Sequence, residues 1–129
     1  MAVFSAADKE AMHVREADEA IFIGPPEARD SYLRIDRIVD AAGRAGVDAI
    51  HPGYGFLAEN DGFAEACRQH NIQFIGPDPE SIRLMGNKSA ARTTMVEAEV
   101  PVLPGSEGAL KSKTEALSLA GEIGYPVIL

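Results

Sequence analysis

The segment HPGYG at residues 51–55 contains the residue types best suited to binding a small molecule. Pro52 fixes its own φ and lacks an amide proton, while Gly53 and Gly55 tolerate positive φ and let the backbone approach a ligand closely. Such a turn could present bare amide groups and the Tyr54 side chain to a bound molecule. A tight structural turn with a half-buried His51 and Tyr54 accounts for the same residues, and the pattern alone slightly favours it.

A single lysine near a predicted helix start is the second candidate. Lys88 follows Gly86 and Asn87, directly before a helical pattern. A cation is poorly placed against the positive end of a helix dipole, so its position suggests attraction to an anion. Phosphate is the natural candidate, which lysine binds as a point charge. A solvated surface lysine is an equal alternative.

Three further side chains near the glycine segment have structural explanations to weigh. Asn60 is expected to cap a helix, since asparagine is favoured at that position. Glu59 could place a carboxylate in a site or simply precede the helix, and both readings stay open. Cys67 falls on an apolar helical face and is expected in the core rather than as a nucleophile.

Other suggestive patterns fail on spacing. Residues 104–108 (PGSEG) lack the Gly-Lys-Ser/Thr continuation of a P-loop and are expected to form a linker. Residues 43–46 (GRAG) lie at a helix end rather than after a strand, so they are not a dinucleotide fingerprint. The three histidines show no metal-ligand spacing and only one cysteine is present, so no metal site is predicted.

The apolar pattern predicts the elements that position these residues. The predicted strands lie at residues 2–4, 20–23, 47–50, 72–75 and 127–129. The predicted helices lie at residues 33–45 with Gly46 ending the first, 56 to about 70, 79–85, 88–98 and 114–123 with Gly124 ending the last. Residues 101–106 are expected to be an extended loop, and Asp78 to cap the helix that starts at Pro79.

Strands that alternate with helices predict an α/β fold with a mostly parallel sheet covered by helices. Ligands in such sheets gather outside the carboxyl ends of the strands. The loops at residues 5–8, 51–55 and 76–78 are therefore the places to look for a site. A weak boundary is predicted between residues 76 and 86, where the strand–helix rhythm changes.

Composition narrows the classes of function. The chain has 129 residues, 12 Lys plus Arg against 20 Asp plus Glu, and a formal net charge of −8. This acidity disfavours nucleic acid and anionic membranes as partners. The sequence contains neither a secretory signal nor an apolar run long enough to span a bilayer. Because an apolar run closes the chain with nothing after it to pack, the chain is expected to be a piece of a longer protein.

Taken in order, segments along the whole chain resemble the amino-terminal part of biotin carboxylases. The matching segments are residues 13–14 (HV), 17–20 (ADEA), 23–25 (IGP), 31–33 (SYL), 49–60 (AIHPGYGFLAEN), 63–64 (FA), 74–77 (FIGP), Ile82, 85–88 (MGNK) and 100–106 (VPVLPGS). Residues 51–60 are highly specific to that family, and residues 85–88 moderately so.

The resemblance implies an activity and its cofactors. Biotin carboxylases are ATP-grasp ligases, either free-standing or part of acetyl-CoA, propionyl-CoA, methylcrotonyl-CoA and pyruvate carboxylases. ATP activates bicarbonate as carboxyphosphate, magnesium accompanies the nucleotide, and the carboxyl group passes to a ureido nitrogen of biotin. The second ATP lysine, the glycine-rich loop and the metal carboxylates follow the stretch matched here, so the resemblance assigns this chain no catalytic residue and no magnesium ligand.

Two side chains carry over from the family. Lys88 matches a lysine that contacts ATP phosphate, and Tyr54 matches a tyrosine on the biotin and bicarbonate side of the cleft. His51, Gly53 and Gly55 belong to the same motif with shaping roles. The family commonly has Ser at the position of Ala58 and Asp at that of Asn87, and the latter change removes a carboxylate beside Lys88.

The resemblance also divides the chain. Residues 1–86 match a Rossmann-like pre-ATP-grasp domain without its first strand and helix, and residues 87–129 match linker helices and the start of the ATP-grasp domain. Implied partners are the rest of that enzyme domain, biotin carboxyl carrier and carboxyltransferase domains or subunits, and a second copy of the parent enzyme. Bacterial cytoplasm and mitochondrial matrix both fit.

The isolated chain is expected to be inactive, because phosphoryl transfer needs magnesium ligands and a phosphate clamp. Two alternatives remain. One is a non-catalytic assembly fragment of a larger carboxylase. The other, disfavoured by the missing glycine fingerprint, is a Rossmann-type nucleotide-binding module.

Overall fold

The structure is a computed structural model that describes residues 1–106 and 108–128. The chain divides into two compact units, Met1–Arg83 and Leu84–Leu129. The strands are β1 (Ala2–Ser5), β2 (Ala20–Gly24), β3 (Ala49–Ile50) and β4 (Gln73–Phe74). The helices are α1 (Met12–Glu16), α2 (Ile35–Ala45), α3 (Asp61–Gln69), α4 (Pro79–Gly86), α5 (Lys88–Glu97) and α6 (Lys113–Ile123), with short 3₁₀ turns at Ala6–Asp8 and Ala28–Asp30. Across the described residues, no helix is long and apolar enough to cross a membrane.

The predicted α/β class and parallel pairing are confirmed. β1 pairs in parallel with β2, and β3 pairs in parallel with β4. These pairs form two small two-stranded sheets rather than one continuous sheet. Helix α2 packs against both β2 and α3, and in the first unit it connects the two strand pairs, between which there is no hydrogen-bond ladder.

The core of the first unit lies between α2, α3 and the β3–β4 pair. Its buried members are Val39, Ala42, Leu57, Phe63, Ala64, Cys67, Ile72 and Phe74. Phe63 and Phe74 meet edge to face with ring centroids 5.9 Å apart, a favoured aromatic geometry. Cys67 is fully buried, as predicted for a core residue, and burial raises the pKa of its thiol. A protonated, inaccessible thiol is a poor nucleophile.

Helix α2 follows the predicted apolar stripe and ends where expected. Its buried face contains Val39, Ala41 and Ala42. Gly46 adopts the left-handed conformation at φ 62°, and its amide donates to the Ala42 carbonyl. Glycine pays no steric penalty there, which is why it ends so many helices.

At the end of β2 the Arg37 side chain packs tightly against Gly24, an arrangement that we call the Gly24 crossing. The Arg37 guanidinium donates to the carbonyl oxygens of Ile23 at 3.0 Å and of Asp30 at 2.8 Å. Gly24 lies between them with φ 147°, and a Cβ there would collide with Arg37 and with the Asp30 carbonyl. Glycine is therefore required at this position.

Side chains cap several helices as the sequence predicts. The Asn60 Oδ1 accepts from the Phe63 amide at 2.8 Å, and the Asp78 Oδ1 accepts from the Ser81 amide at 2.7 Å. Each bond satisfies an amide that the helix itself leaves without a partner. The predicted capping role of Asn60 is confirmed.

We expect Asn60→Ala to lower the free energy of unfolding by about 1 kcal/mol, because the Phe63 amide loses its acceptor. Urea denaturation followed by far-ultraviolet circular dichroism measures the loss. Asn60→Asp is the matched control and keeps the acceptor. Equal midpoints for the alanine and aspartate variants would show that the cap contributes nothing.

Two predictions of local structure were wrong, and one short helix was not predicted. The apolar spacing predicts a helix from residue 56, but Phe56 lies in a turn with φ 46°, and α3 begins only at Asp61. Helix α1 was missed because its five residues carry no buried side chain and no apolar stripe. The sequence predicts a strand at residues 127–129, but Val127 and Ile128 lie outside any strand, and residue 129 lies outside the described residues.

Candidate functional site

Parallel pairing of β3 with β4 brings two of the predicted loops to one edge of a sheet. Ala49 pairs with Gln73 and Ile50 with Phe74, and the Ile75 amide donates to the Ile50 carbonyl at 2.9 Å. His51 follows β3 directly, and Gly76 lies two residues after β4. The loop at residues 51–56 therefore leaves the carboxyl end of a strand, the usual position of ligand sites in such folds.

The backbone of this loop is folded by its own residues. The His51 Nδ1 accepts a hydrogen bond from the Gly53 amide at 3.0 Å, so the ring carries its proton on Nε2. Gly53 and Gly55 both have φ 70°, the conformation their lack of Cβ allows. The Gly55 carbonyl accepts from the Ala58 amide at 2.9 Å, which closes the turn.

Tyr54 projects from the tip of the loop. Its side chain is 97% exposed, and His51 is exposed as well. The half-burial expected of His51 and Tyr54 in a structural turn is wrong, because both side chains are exposed, but the turn itself is present. A fully exposed tyrosine between two glycines is available to a ligand. Glu59, left open by the sequence, is also exposed.

A hydrogen-bonded cluster that sequence reasoning missed lies at the end of β1. The Tyr32 hydroxyl donates to the Asp8 Oδ2 at 2.6 Å and accepts from the Ser5 amide at 2.9 Å. The fully buried Ser5 hydroxyl also donates to the Asp8 Oδ2, at 2.9 Å. The Tyr32 ring stacks on Phe56 at a centroid distance of 5.6 Å and an interplanar angle of 17°. Tyr32 thus links the end of β1 to the loop after β3.

The cluster shifts the pKa values of both ionisable members. The hydrogen bond from Tyr32, followed by that from Ser5, lowers the pKa of Asp8. Burial, followed by the hydrogen bond to Asp8, raises the pKa of Tyr32. Both shifts favour a carboxylate that accepts from a neutral phenol at neutral pH.

This pairing predicts a pH dependence. Because the pKa of Asp8 in the folded chain lies below its ordinary value of 3.8, its charge adds stability above that value. The contribution is lost as pH falls through the folded pKa. We expect the chain to resist urea better than an Asp8→Asn variant near neutral pH, and the difference to close below about pH 4. A difference that stays constant as the solution is acidified through that range would contradict this assignment.

Lys88 belongs to the second unit, where it is the first residue of α5. The Asn87 Oδ1 caps this helix by accepting from the Ala90 amide at 3.0 Å. The first turn of α5 contains no acidic residue, and Lys88 is exposed. No carboxylate of residues 1–106 or 108–128 forms an ion pair with Lys88. The positive helix end and the ammonium group together form a surface that attracts anions.

Metal ligands do not assemble in the part of the chain that the structure describes. There, no group of three or more His, Cys, Asp or Glu side chains is placed to hold an ion. No metal ligand is therefore assigned to the described residues.

Comparison with known families decides the relationship. Residues 1–82 match the family model for the biotin carboxylase N-terminal domain. This chain belongs to the biotin carboxylase family. Residues 87–129 match the model for the ATP-binding domain of the carbamoyl-phosphate synthase L chain. The resemblance predicted from the sequence is confirmed.

Proteins named biotin carboxylase match along the whole chain. Biotin carboxylase 1 of Bacillus subtilis (strain 168) is 56% identical over 129 residues, which are 100% of this chain and 29% of that protein. The chain therefore spans less than a third of the length of this relative. Similar proteins include chloroplastic biotin carboxylases and the alpha subunits of mitochondrial methylcrotonoyl-CoA carboxylases. The family thus occurs in bacteria, chloroplasts and mitochondria, a wider range than the sequence predicted.

Solved biotin carboxylases share the fold. A complex of biotin carboxylase with β,γ-ATP from Campylobacter jejuni superposes with a TM-score of 0.87 at 52% identity, covering 96% of this chain and 28% of that one. The biotin carboxylase domain dimer of Hydrogenobacter thermophilus 2-oxoglutarate carboxylase gives a TM-score of 0.84 at 49% identity, covering 96% and 27%. That structure is described as a complex with ADP, magnesium and bicarbonate.

Proposed function

We propose that the chain supplies the amino-terminal segment of a biotin carboxylase. This ligase uses ATP to activate bicarbonate as carboxyphosphate and transfers the carboxyl group to a ureido nitrogen of biotin. The observation that carries the proposal is the loop at residues 51–56. In a chain of this family, it holds an exposed Tyr54 on a two-glycine turn at the carboxyl end of β3.

The roles that we propose for the two parts of the chain follow the two family matches. Residues 1–86 act as part of the pre-ATP-grasp domain, and residues 87–129 lead into the ATP-grasp domain. The compact units Met1–Arg83 and Leu84–Leu129 support this division, with a boundary a few residues earlier. The matches to residues 1–82 and 87–129 support it as well.

In this proposal Lys88 binds ATP phosphate. An exposed ammonium group on a helix start without an acidic partner fits a polyanion. Magnesium would offset phosphate charge when bound, but the described residues offer no cluster to hold it. Phosphoryl transfer by the isolated chain is not expected.

Tyr54 is proposed to line the biotin and bicarbonate side of the cleft. Gly53 and Gly55 give it a backbone with no Cβ on either side, so the ureido ring of biotin can approach closely. His51 keeps the turn closed through its bond from the Gly53 amide. The roles of His51, Gly53 and Gly55 are thus to shape the loop rather than to react.

The proposed partners lie beyond this chain. They are the remaining biotin carboxylase domain, the biotin carboxyl carrier and carboxyltransferase domains or subunits, and a second copy of the enzyme. The name of the methylcrotonoyl-CoA carboxylase alpha subunit, which describes one subunit of a larger enzyme, supports such an assembly.

A chimera tests the proposal. The matching segment of Bacillus subtilis biotin carboxylase 1, 56% identical to this chain, is replaced by the chain's 129 residues. We expect phosphate release from ATP that depends on both bicarbonate and biotin. The isolated chain is expected to show none. A chimera that folds and assembles yet lacks biotin-dependent turnover would instead favour the non-catalytic assembly role.

A further inference from the structure

We propose that Tyr32 is a positioning residue that holds the loop carrying Tyr54 in place. Its ring stacks on Phe56, two residues after Tyr54, and its hydroxyl is fixed at the end of β1. The consequence for catalysis rests on the proposed function, whereas the effect on loop structure does not.

The hydrogen bonds within the loop leave Phe56 in a strained conformation, and its aromatic contact lies outside the loop. Phe56 adopts φ 46°, a left-handed conformation that is unfavourable for a residue with a Cβ. Its side chain is 63% exposed, so burial in the core does not hold it there. Gly53 and Gly55 lose more conformational entropy on ordering than other residues do. The stacking of Phe56 on Tyr32 is the aromatic contact that opposes these costs.

The support is itself rigid. Tyr32 is half-buried, and its hydroxyl makes a bond with the Asp8 carboxylate and another with the Ser5 amide. The adjacent Ser31 is fully buried, and its hydroxyl donates to the Glu27 carbonyl at 2.9 Å. A ring anchored at its backbone and at its far end has little freedom to move with Phe56.

The structural test uses the 129-residue chain and nuclear magnetic resonance. The three-bond HN–Hα coupling of Phe56 reports its φ, and exchange of the Ala58 amide reports the bond that closes the turn. We expect Tyr32→Leu to change the coupling and to speed Ala58 exchange by roughly two- to tenfold, the range expected for loss of an aromatic pair. Tyr32→Phe keeps the stacking and is expected to recover most of the protection.

Phe22→Leu is the matched control, since Phe22 is an exposed partner in the Phe4–Phe22 pair at 5.9 Å, far along the chain from the loop. It is expected to leave Phe56 and Ala58 unchanged. Unaltered coupling and exchange in Tyr32→Leu would overturn the inference. So would equal changes in Phe22→Leu, because they would show a general loosening rather than a local support.

The catalytic test uses the chimera. We expect Tyr32→Leu to raise the KM for free biotin several-fold while the KM for ATP stays within twofold, with rescue by Tyr32→Phe. If the loop changes in the isolated chain but the KM for biotin does not, positioning stands and the assignment of Tyr54 to the biotin side fails. If neither changes, the positioning role fails and the proposed function is untouched.

Discussion

In the chimera, Lys88→Ala is expected to lower kcat/KM for ATP by about ten- to a hundredfold. A hydrogen bond from a charged group contributes about 1.5–3 kcal/mol, and loss of that energy from the transition state gives this range. The KM for biotin is expected to change little, because the proposed biotin side carries Tyr54 instead. Initial rates at varied ATP and at varied biotin separate the two effects.

Lys113 provides a matched control for this prediction. It is also the first residue of a helix, and the Ser112 hydroxyl caps that helix by accepting from the Glu115 amide at 3.1 Å. The first turn of α6 contains Glu115, so its positive end is already opposed by a carboxylate. Lys113→Ala should leave both constants unchanged. Equal losses in the two variants would assign Lys88 to the solvated surface.

Phe63→Ala is expected to lower the free energy of unfolding by about 3–5 kcal/mol. Phe63 is 1% exposed and meets Phe74 edge to face in the centre of the core. The substitution to alanine deletes a buried ring and leaves a cavity that α3 can fill only in part. Since small domains are stable by about 5–15 kcal/mol, a loss of this size is a large fraction of the total free energy of unfolding. Urea denaturation measures the loss directly.

Tyr54→Ala is the control for packing and also a test of the site. Its ring is 97% exposed, so stability should stay within about 0.5 kcal/mol. In the chimera the same variant should weaken the use of biotin. Phe63→Leu should cost less than Phe63→Ala, because a leucine fills part of the cavity. If Phe63→Ala unfolds at the same urea concentration as Tyr54→Ala, the core assignment is wrong.

Elements with a strong local signal could be predicted from the sequence. The apolar stripe of α2, the Asn60 cap and the helix-ending Gly46 and Gly124 all act within a few residues of where they occur in the chain. Local propensity and capping therefore place these boundaries to within one or two residues. The loop at residues 51–55 was found for the same reason, since its glycines and proline are adjacent.

Contacts between distant residues could not be predicted. The bonds of Tyr32 to Ser5 and Asp8 span 27 and 24 positions, and nothing in residues 31–33 indicates which partners the hydroxyl meets. The stacking on Phe56 depends on the same tertiary arrangement. The Asn60 cap starts α3 at Asp61, so Phe56 lies in a turn before the helix, although the apolar spacing predicts a helix there. The roles of Lys88 and Tyr54 stay predictions until the chimera is assayed.

The Gly24 crossing limits how this segment can diverge. Arg37 serves two carbonyls on either side of that residue, and even a methyl group would displace it. A saturation library at position 24 should yield glycine alone among folded clones. Substitutions at positions 23 and 37 are limited by the shape and charge of the new side chain. Some replacements at these positions should therefore be tolerated better than others. Gly24 is thus a position at which the fold tolerates no other amino acid.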